Sequence, residues 1–161
     1  MKGRVYQINK KPETPGERGL PKEYVKESYI TFKGLEGDFN RYRHEKKNDN
    51  PDKALLLIPL ETLSELNREG WPIMPGHLGE NLTTYGIHYD NFEPGKKYKV
   101  GEAEIQISIA CDPCTNLYLL PYVGKEKGHL FLKTLRARRG WYARVLNEGK
   151  VNVADYIEEL L

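Results

Sequence analysis

The sequence predicts a mainly β protein, a barrel with two or three peripheral helices. Roughly seven segments carry strand patterns, whereas a helical period recurs in only two or three. Turns rich in Gly and Pro separate the strands, with 15 Gly and 10 Pro among 161 residues. Many short strands joined in this way favour a barrel over a doubly wound sheet. The length predicts one domain over residues 1–161.

The first half of the chain carries three strand patterns and one helix pattern. The strand patterns cover residues 3–8, 24–32 and 54–60. The first alternates, the second is rich in β-branched and aromatic residues, and the third is a continuous apolar run typical of a buried strand. Leu60, Leu63 and Leu66 then recur at helical spacing. Because Gly70 supplies a stop, the sequence predicts a helix of about three turns here.

The second half is predicted to hold a hairpin, a second helix and closing strands. The strand patterns cover residues 98–101, 104–111, 144–146 and 150–153, and the helix pattern covers 129–139. Gly101 turns the hairpin, Gly140 ends the helix, and residues 147–149 form a turn between the last two strands. The tail, residues 154–161, is predicted as a short helix or a strand.

Composition predicts a cytoplasmic protein that does not enter a membrane. The chain is 39% hydrophobic and 30% charged with a net charge of +2, so its charge selects no class of partner. No apolar run approaches the ~20 residues of a membrane span, and Met1 is followed by no apolar leader. Two cysteines make no disulfide framework. The signatures of P-loop NTPases, Rossmann dehydrogenases, zinc proteases and α/β-hydrolases are absent.

Both cysteines lie in residues 105–117, where a strand pattern ends in a turn. Three isoleucines alternate with polar residues, and the same parity places Cys111 on the isoleucine face, in the core. Pro113 then ends the strand, because it has no N–H to donate and it restricts Asp112. Cys114 therefore falls just past a strand end, where side chains are more often accessible. Since access controls thiol reactivity, Cys114 is the candidate reactive cysteine.

Four interpretations of the Cys111–Cys114 spacing are open at this point. A zinc site needs about four ligands, but there is no second pair of cysteines and the histidines are scattered. A thioredoxin-like redox pair opens a helix in a βαβ pattern, which Pro113 and the β-rich context disfavour. The third interpretation is a single working thiolate on Cys114, with Cys111 as a small core residue. The fourth is two core cysteines without chemistry, since free Cys is often buried.

Two other segments suit an anion or are ordinary solvated surface. The loop 75–81 could form a backbone nest for an anion with Asn81 as a polar handle, although a plain surface loop is favoured from this segment alone. Residues 125–144 hold seven cations against one acid, Glu126. With Trp141 and Tyr142 nearby, such a run suits a phosphate-bearing ligand or nucleic acid, although a solvated helix face is the usual explanation.

A series of motifs in this order resembles the MOSC domain, the module named for the molybdenum-cofactor sulfurase C-terminus. The motifs are G-L-P-K at 19–22, G-L-E-G-D at 34–38, P-D-K-A at 51–54, E-G at 69–70, P-G-H-L-G-E-N-L-T at 75–83 and P-C at 113–114. R-R-G-W-Y-A-R-V-L at 138–146 is similar to the tail of small stand-alone members. The resemblance covers residues 3–153, and its specific part is P-G-x-x-G-E-N-L-T together with P-C.

The resemblance implies a closed or nearly closed β-barrel, like the small barrel of pyruvate kinase. It implies that Cys114 ligates the metal of a molybdenum cofactor (molybdopterin). Relatives reduce N-hydroxylated compounds, so it implies a molybdenum-dependent oxidoreductase with a small-molecule substrate and an external electron donor. The alternative is a non-enzymatic sulfur carrier that receives sulfur from a desulfurase and holds it as a Cys114 persulfide for metal–sulfur cluster or cofactor assembly. Nucleic-acid binding is disfavoured.

The matching motifs also place further site residues. The predicted cofactor-binding residues are Lys22, Lys53, Glu80, Asn81 and Arg139. Lys22 and Arg139 are expected to contact the cofactor's phosphate, and Asp38 is a catalytic candidate that orients a cation or takes part in proton delivery. Many members read H-G-G-P-D-[KR]-A, whereas six residues separate His44 from Pro51 here, so the role of His44 stays open.

Overall fold

The computed structural model describes residues 1–12, 20–39 and 50–161, which form eleven strands and two α-helices. The strands are β1 (Lys2–Lys10), β2 (Glu23–Val25), β3 (Glu27–Thr31), β4 (Gly34–Leu35), β5 (Leu55–Pro59), β6 (Leu82–Tyr85), β7 (Lys97–Val100), β8 (Ala103–Ala110), β9 (Trp141–Asn147), β10 (Gly149–Asn152) and β11 (Tyr156–Leu160). The α-helices are α1 (Leu60–Arg68) and α2 (Gly124–Thr134), and 3-10 helices cover Pro51–Lys53, Tyr89–Asn91 and Thr115–Leu119. His44 lies outside the described residues.

Seven strands of the described chain close into a barrel. Their order is β11-β7-β8-β9-β5-β6-β1, and the barrel closes because β11 also pairs with β1, placing Lys2 opposite Glu158. Neighbouring strands are antiparallel except β5 and β6, which run parallel because α1 supplies the crossover that such a pair requires. The barrel predicted from the sequence is confirmed. Residues 154–161, which were predicted as either a short helix or a strand, contain β11.

A second sheet, in the order β10-β3-β4, forms its own hydrogen-bonded ladder, while its Ile30, Leu35 and Val151 pack into the same apolar cluster as the barrel interior. Residues 24–32, predicted as one strand, divide at Lys26 into β2, which pairs with β1, and β3, which pairs with β10. The predicted turn between β9 and β10 is present, but it joins strands of different sheets. The sequence patterns therefore predicted where strands occur in residues 24–32 and 150–153. They did not predict which strands pair with each other.

Two apolar clusters fill the molecule. In the barrel interior Ile105 and Ile107 of β8 are fully buried, whereas the pairing register shifts before Ile109 and leaves it 45% exposed. The second cluster includes residues of both α-helices, and its larger members are Ile58, Leu63, Leu66, Trp71, Leu78 and Phe131. Within it the rings of Trp71 and Phe131 are 4.7 Å apart. This second cluster packs α1 and α2 together.

The second helix was predicted in the wrong place. It was expected over residues 129–139, but α2 begins at Gly124 and ends at Thr134. Ala137 adopts a left-handed backbone with φ 60°, which ends the helix well before Gly140. Gly140 has φ 120°, and a Cβ there would lie 2.8 Å from Ile58 Cγ1, so this glycine serves close contact with β5. In the described ranges neither α-helix has the length and apolarity to cross a membrane.

Shortening Ile105 to alanine should destabilise the fold far more than the same change at Ile109. Both isoleucines lie on β8, but only Ile105 is fully buried, and emptying a buried site costs about 2–5 kcal/mol. Ile109→Ala is the matched control and should cost less than about 1 kcal/mol. Urea denaturation measures both free energies of unfolding. Equal losses would show that the register shift in β8 is misplaced.

Candidate functional site

Asn81 ties the loop before β6 to the end of the barrel. Its backbone N–H donates to Leu56 O at 2.8 Å, and its side-chain oxygen accepts from Leu56 N at 3.1 Å. Its carbonyl accepts from Asn9 N at 2.8 Å, which adds β1 to the same anchor. Its side-chain amide donates to Asp38 Oδ2 at 2.9 Å. One buried asparagine therefore fixes two barrel strands and Asp38 relative to one another.

Asp38 and Lys22, which the sequence assigned to separate roles, form one buried ion pair. Lys22 Nζ lies 2.6 Å from Asp38 Oδ2, and the two side chains are 3% and 2% exposed. The other carboxylate oxygen, Asp38 Oδ1, accepts from Lys11 N at 2.9 Å. Because removing one partner would leave a buried charge uncompensated, each side chain depends on the other for its position.

The loop preceding Asn81 approaches Lys22 through its backbone. Lys22 N donates to Gly76 O at 2.9 Å. Gly76 has φ 90°, and a Cβ there would lie 2.5 Å from Lys22 O. Only glycine permits both this conformation and this approach. The loop therefore binds the Lys22 backbone through Gly76. Its Asn81 binds Asp38, which pairs with the Lys22 ammonium.

Glu80 lies underneath the loop. Its Oε2 accepts from Thr83 Oγ1 at 3.0 Å, and its carbonyl oxygen accepts from Asn9 Nδ2 at 3.2 Å. Burial raises the pKa of Glu80, while backbone N–H groups, the Thr83 hydroxyl and the guanidinium of Arg139 act in the opposite direction. Glu80 therefore lies in the interior, where the Arg139 charge acts on it, but its Oε1 has no hydrogen-bond partner among the described residues.

The two cysteines occupy the environments predicted for them. Cys111 is 7% exposed, and its N–H donates to Gly140 O at 2.8 Å. Its Sγ donates weakly to Asp112 O at 3.7 Å. Cys114 is partly exposed and caps the start of the 3-10 helix Thr115–Leu119 in an extended conformation. The more accessible thiol therefore lies just past the end of β8.

Arg139 is a buried cation whose hydrogen bonds are incomplete. It is 6% exposed, yet its Nε and Nη1 atoms have no hydrogen-bond partner in the part of the chain that the structure describes. The next residue, Gly140, accepts the hydrogen bond from Cys111, so Arg139 lies beside the cysteine segment. A buried guanidinium with two free donors is prepared for an anion.

The electrostatic environment of Tyr142 includes Arg139 and both cysteines. The sequence analysis did not identify Tyr142 as a site residue. Burial raises the pKa of Tyr142, the thiols of Cys111 and Cys114 raise it further, and Arg139 lowers it. Tyr142 therefore keeps its proton at neutral pH. Lys53 Nζ lies 5.1 Å from the centre of its ring. The sequence does place Tyr142 within the basic segment 125–144, close to Arg139. It does not show that β9 pairs with β8, which is what brings Tyr142 near the cysteines.

The segment carrying Lys53 is fastened to the barrel. Asp52 begins the attachment, since Arg144 Nε donates to its Oδ1 at 2.8 Å, and Arg144 Nη1 also donates to Gln106 Oε1 at 2.7 Å. The hydroxyl of Ser108 donates to the backbone carbonyl of Asp52. These contacts hold the 3-10 helix against β8 and β9, which places Lys53 beside Tyr142.

The predicted site residues thus form two groups on either side of β5. Leu56 is bonded to Asn81 on one side and lies opposite Tyr142 in the register of β9 on the other. The Asn81 side holds Lys22 and Asp38, the Tyr142 side holds Lys53 and Cys114, and Arg139 acts electrostatically on both Glu80 and Tyr142. Residues 1–12, 20–39 and 50–161 contain no cluster of three or more His, Cys, Asp or Glu side chains suited to a metal.

The wild type should lose stability as the pH rises because of Glu80, and the Glu80→Gln variant should not show this loss. Because burial raises the pKa of Glu80, the folded state holds this proton more tightly than the unfolded state. The wild-type free energy of unfolding should therefore fall relative to that of the variant as the pH rises from 4.5, the ordinary value, through the raised pKa. Denaturant titrations across pH measure this difference.

The control for that experiment is Glu126→Gln, which removes one carboxyl group from an exposed position of α2. It should not reproduce the difference. A wild type that becomes more stable relative to the Glu80→Gln variant as the pH rises would contradict the assigned direction.

Comparison with known proteins places this chain in one family. The chain is 30% identical over 152 residues to the uncharacterized protein YflK of Bacillus subtilis, covering 89% of this chain and 64% of YflK. It is 32% identical over 136 residues to the protein YiiM of Escherichia coli, covering 82% of this chain and 58% of YiiM. The crystal structure of YiiM from Geobacillus stearothermophilus superposes with a TM-score of 0.74 at 26% identity, covering 99% of this chain and 75% of that one. The chain therefore spans less than two thirds of the two curated relatives. The family model of the MOSC domain matches residues 44–158, and the chain belongs to the MOSC domain family.

Proposed function

We propose that this protein binds a molybdenum cofactor through Cys114 and reduces N-hydroxylated compounds with electrons from an external donor. The observation that carries the proposal is the state of Arg139. Its unpaired Nε and Nη1 atoms are buried beside the cysteine segment, and an unpaired buried donor costs on the order of 1–3 kcal/mol. An anionic ligand removes that cost, and the phosphate of a pterin cofactor is such an anion.

The neighbouring residues fit the same cofactor. The thiolate of Cys114 is a soft ligand, suited to a metal that a sulfur-rich pterin already holds. Lys53 supplies a second cation, since its Nζ lies 5.1 Å from the centre of the Tyr142 ring and the Arg139 charge acts on the same tyrosine. When bound, the cofactor supplies the two-electron chemistry at its metal. Membership in the MOSC family supports this proposal, because binding of this cofactor is general in the family.

Asp38 is the residue that was expected either to orient a cation or to take part in proton delivery. Reduction breaks the N–O bond of the substrate with two electrons and two protons, giving an N–H group and water. Asp38 already accepts hydrogen bonds at both oxygens, from Lys22 and Asn81 on one and Lys11 on the other. Of the two roles expected for Asp38, orienting a cation is the one that this geometry favours. The ammonium of Lys22 is the group that it orients.

Cys114→Ser should abolish retention of molybdenum, because it removes the proposed metal ligand. Elemental analysis of protein from a cofactor-making host, with pterin fluorescence after oxidation, measures the occupancy. Cys111→Ala is the matched control and should keep the metal, since Cys111 is buried and is not assigned as a ligand. A serine variant that retains wild-type molybdenum would show that Cys114 is not the ligand.

Arg139→Gln should weaken cofactor binding about tenfold or more, because a hydrogen bond to a charged group contributes roughly 1.5–3 kcal/mol. Arg136→Gln removes the same charge from an exposed position nearby and should change affinity little. Titration of cofactor-free protein with molybdopterin measures both affinities. Equal affinities for the two variants would mean that the unpaired donors of Arg139 do not face the phosphate.

A second candidate function is that of a sulfur carrier, and the partial exposure of Cys114 favours it. In that function Cys114 holds a persulfide received from a desulfurase, and no metal is required. Protein incubated with a cysteine desulfurase and cysteine would gain the mass of one sulfur on Cys114. Metal-free protein that gains this sulfur, together with no uptake of molybdopterin, would replace the first proposal by this one.

A further inference from the structure

The outward face of α2 combines cations with an exposed leucine. Gly128 and Phe131 face the second apolar cluster, and Leu130 lies on the other side, 58% exposed. Lys127 and Lys133 are three residues before and after Leu130, so they flank it along the helix. An apolar side chain between charged ones is the arrangement of a small protein-binding surface, with an apolar centre and a polar rim.

The charges of this face are not used within the protein. The exposed cations are Lys125, Lys127, Lys133 and Arg136, against the single acid Glu126. None of the four forms an ion pair with a residue that the structure describes. Arg138 differs, because its guanidinium is bidentate to Glu69, with N–O distances of 2.5 and 2.8 Å. The cations on the outward face therefore remain available to an acidic partner.

The helix that carries this face packs with its inward side against the cysteine segment. The 3-10 helix that begins directly after Cys114 packs against α2, where a Cβ on Gly128 would collide with the ring of Tyr118. At its other end α2 leads through a short turn to Arg139. A protein docked on the outward face would therefore be separated from the cysteine segment by about 10–12 Å, the width of one helix.

We propose that the outward face of α2 docks a small acidic electron-transfer protein of the flavodoxin class. This inference rests on the proposed reductase function, which needs two electrons from outside the chain. A reduced flavin hydroquinone supplies them and becomes oxidised flavin, while the substrate N–O bond is cleaved to an N–H group and water. Complementary charge steers such short-lived encounters, and electron-transfer interfaces are among the smallest in proteins.

The test uses the full-length, cofactor-loaded protein with an aryl amidoxime as substrate and two electron donors. One donor is flavodoxin kept reduced by its NADPH-dependent reductase, and the other is reduced methyl viologen, a small cation that needs no cationic docking face. The variant Lys127→Glu/Lys133→Glu should lose about tenfold of the flavodoxin-driven rate at low salt, with the viologen-driven rate unchanged. The loss should shrink as salt is added, because salt screens the attraction.

The matched control is Lys33→Glu/Lys97→Glu, which reverses two exposed lysines elsewhere on the protein and should keep the flavodoxin-driven rate. Leu130→Asn should lower that rate at every salt concentration, because it removes the apolar centre. The proposal is overturned if the α2 variant matches wild type with flavodoxin, if flavodoxin drives no turnover, or if salt-dependent RNA binding is the only property that the variant loses. A wild type that does not turn over even with viologen would contradict the reductase function itself, and the docking proposal with it.

Discussion

The position of the buried Lys22–Asp38 pair depends on the hydrogen bonds of one buried amide, Asn81. An asparagine side chain offers both a donor and an acceptor, and here the acceptor pairs with β5 through Leu56 while the donor pairs with Asp38. Its backbone bonds extend the anchor to β1. Since buried polar groups are costly unless they are paired, this arrangement permits one position of the loop. Asp38, and through it Lys22, then take their places from that loop.

The buried charges on the two sides of β5 differ in how they are compensated. Lys22 and Asp38 satisfy each other at 2.6 Å, so their role is to hold geometry. Arg139 retains two unpaired donors, and its carboxylate neighbour Glu80 acts on it electrostatically and lies in the interior. A buried cation left incomplete beside an accessible thiol is expected where a ligand completes the site. The Lys22–Asp38 pair is therefore complete without a ligand, whereas Arg139 has donor atoms that a ligand could bind.

The sequence predicted the barrel class and most strands, because alternation and buried apolar runs are local properties that are visible in one segment at a time. It expected a buried Cys111 and an accessible Cys114, although the alternation behind the first expectation is interrupted by the register shift before Ile109. It misplaced α2, because Gly140 resembles a helix stop although its lack of a side chain is needed for contact with β5. Tyr142 was missed because its surroundings depend on the pairing of β9 with β8 and β5. A local sequence pattern does not show which strands pair.

The most direct test of the central claim, that the Cys114 sulfur binds the cofactor metal, is alkylation by iodoacetamide followed by peptide mass spectrometry. The comparison is between molybdenum-loaded protein and the same protein after cofactor removal, with the buried Cys111 as the internal reference. We expect Cys114 to be modified readily in the cofactor-free protein and to be protected in the loaded protein, with Cys111 little modified in both. Equal modification of Cys114 in the two forms would contradict metal ligation.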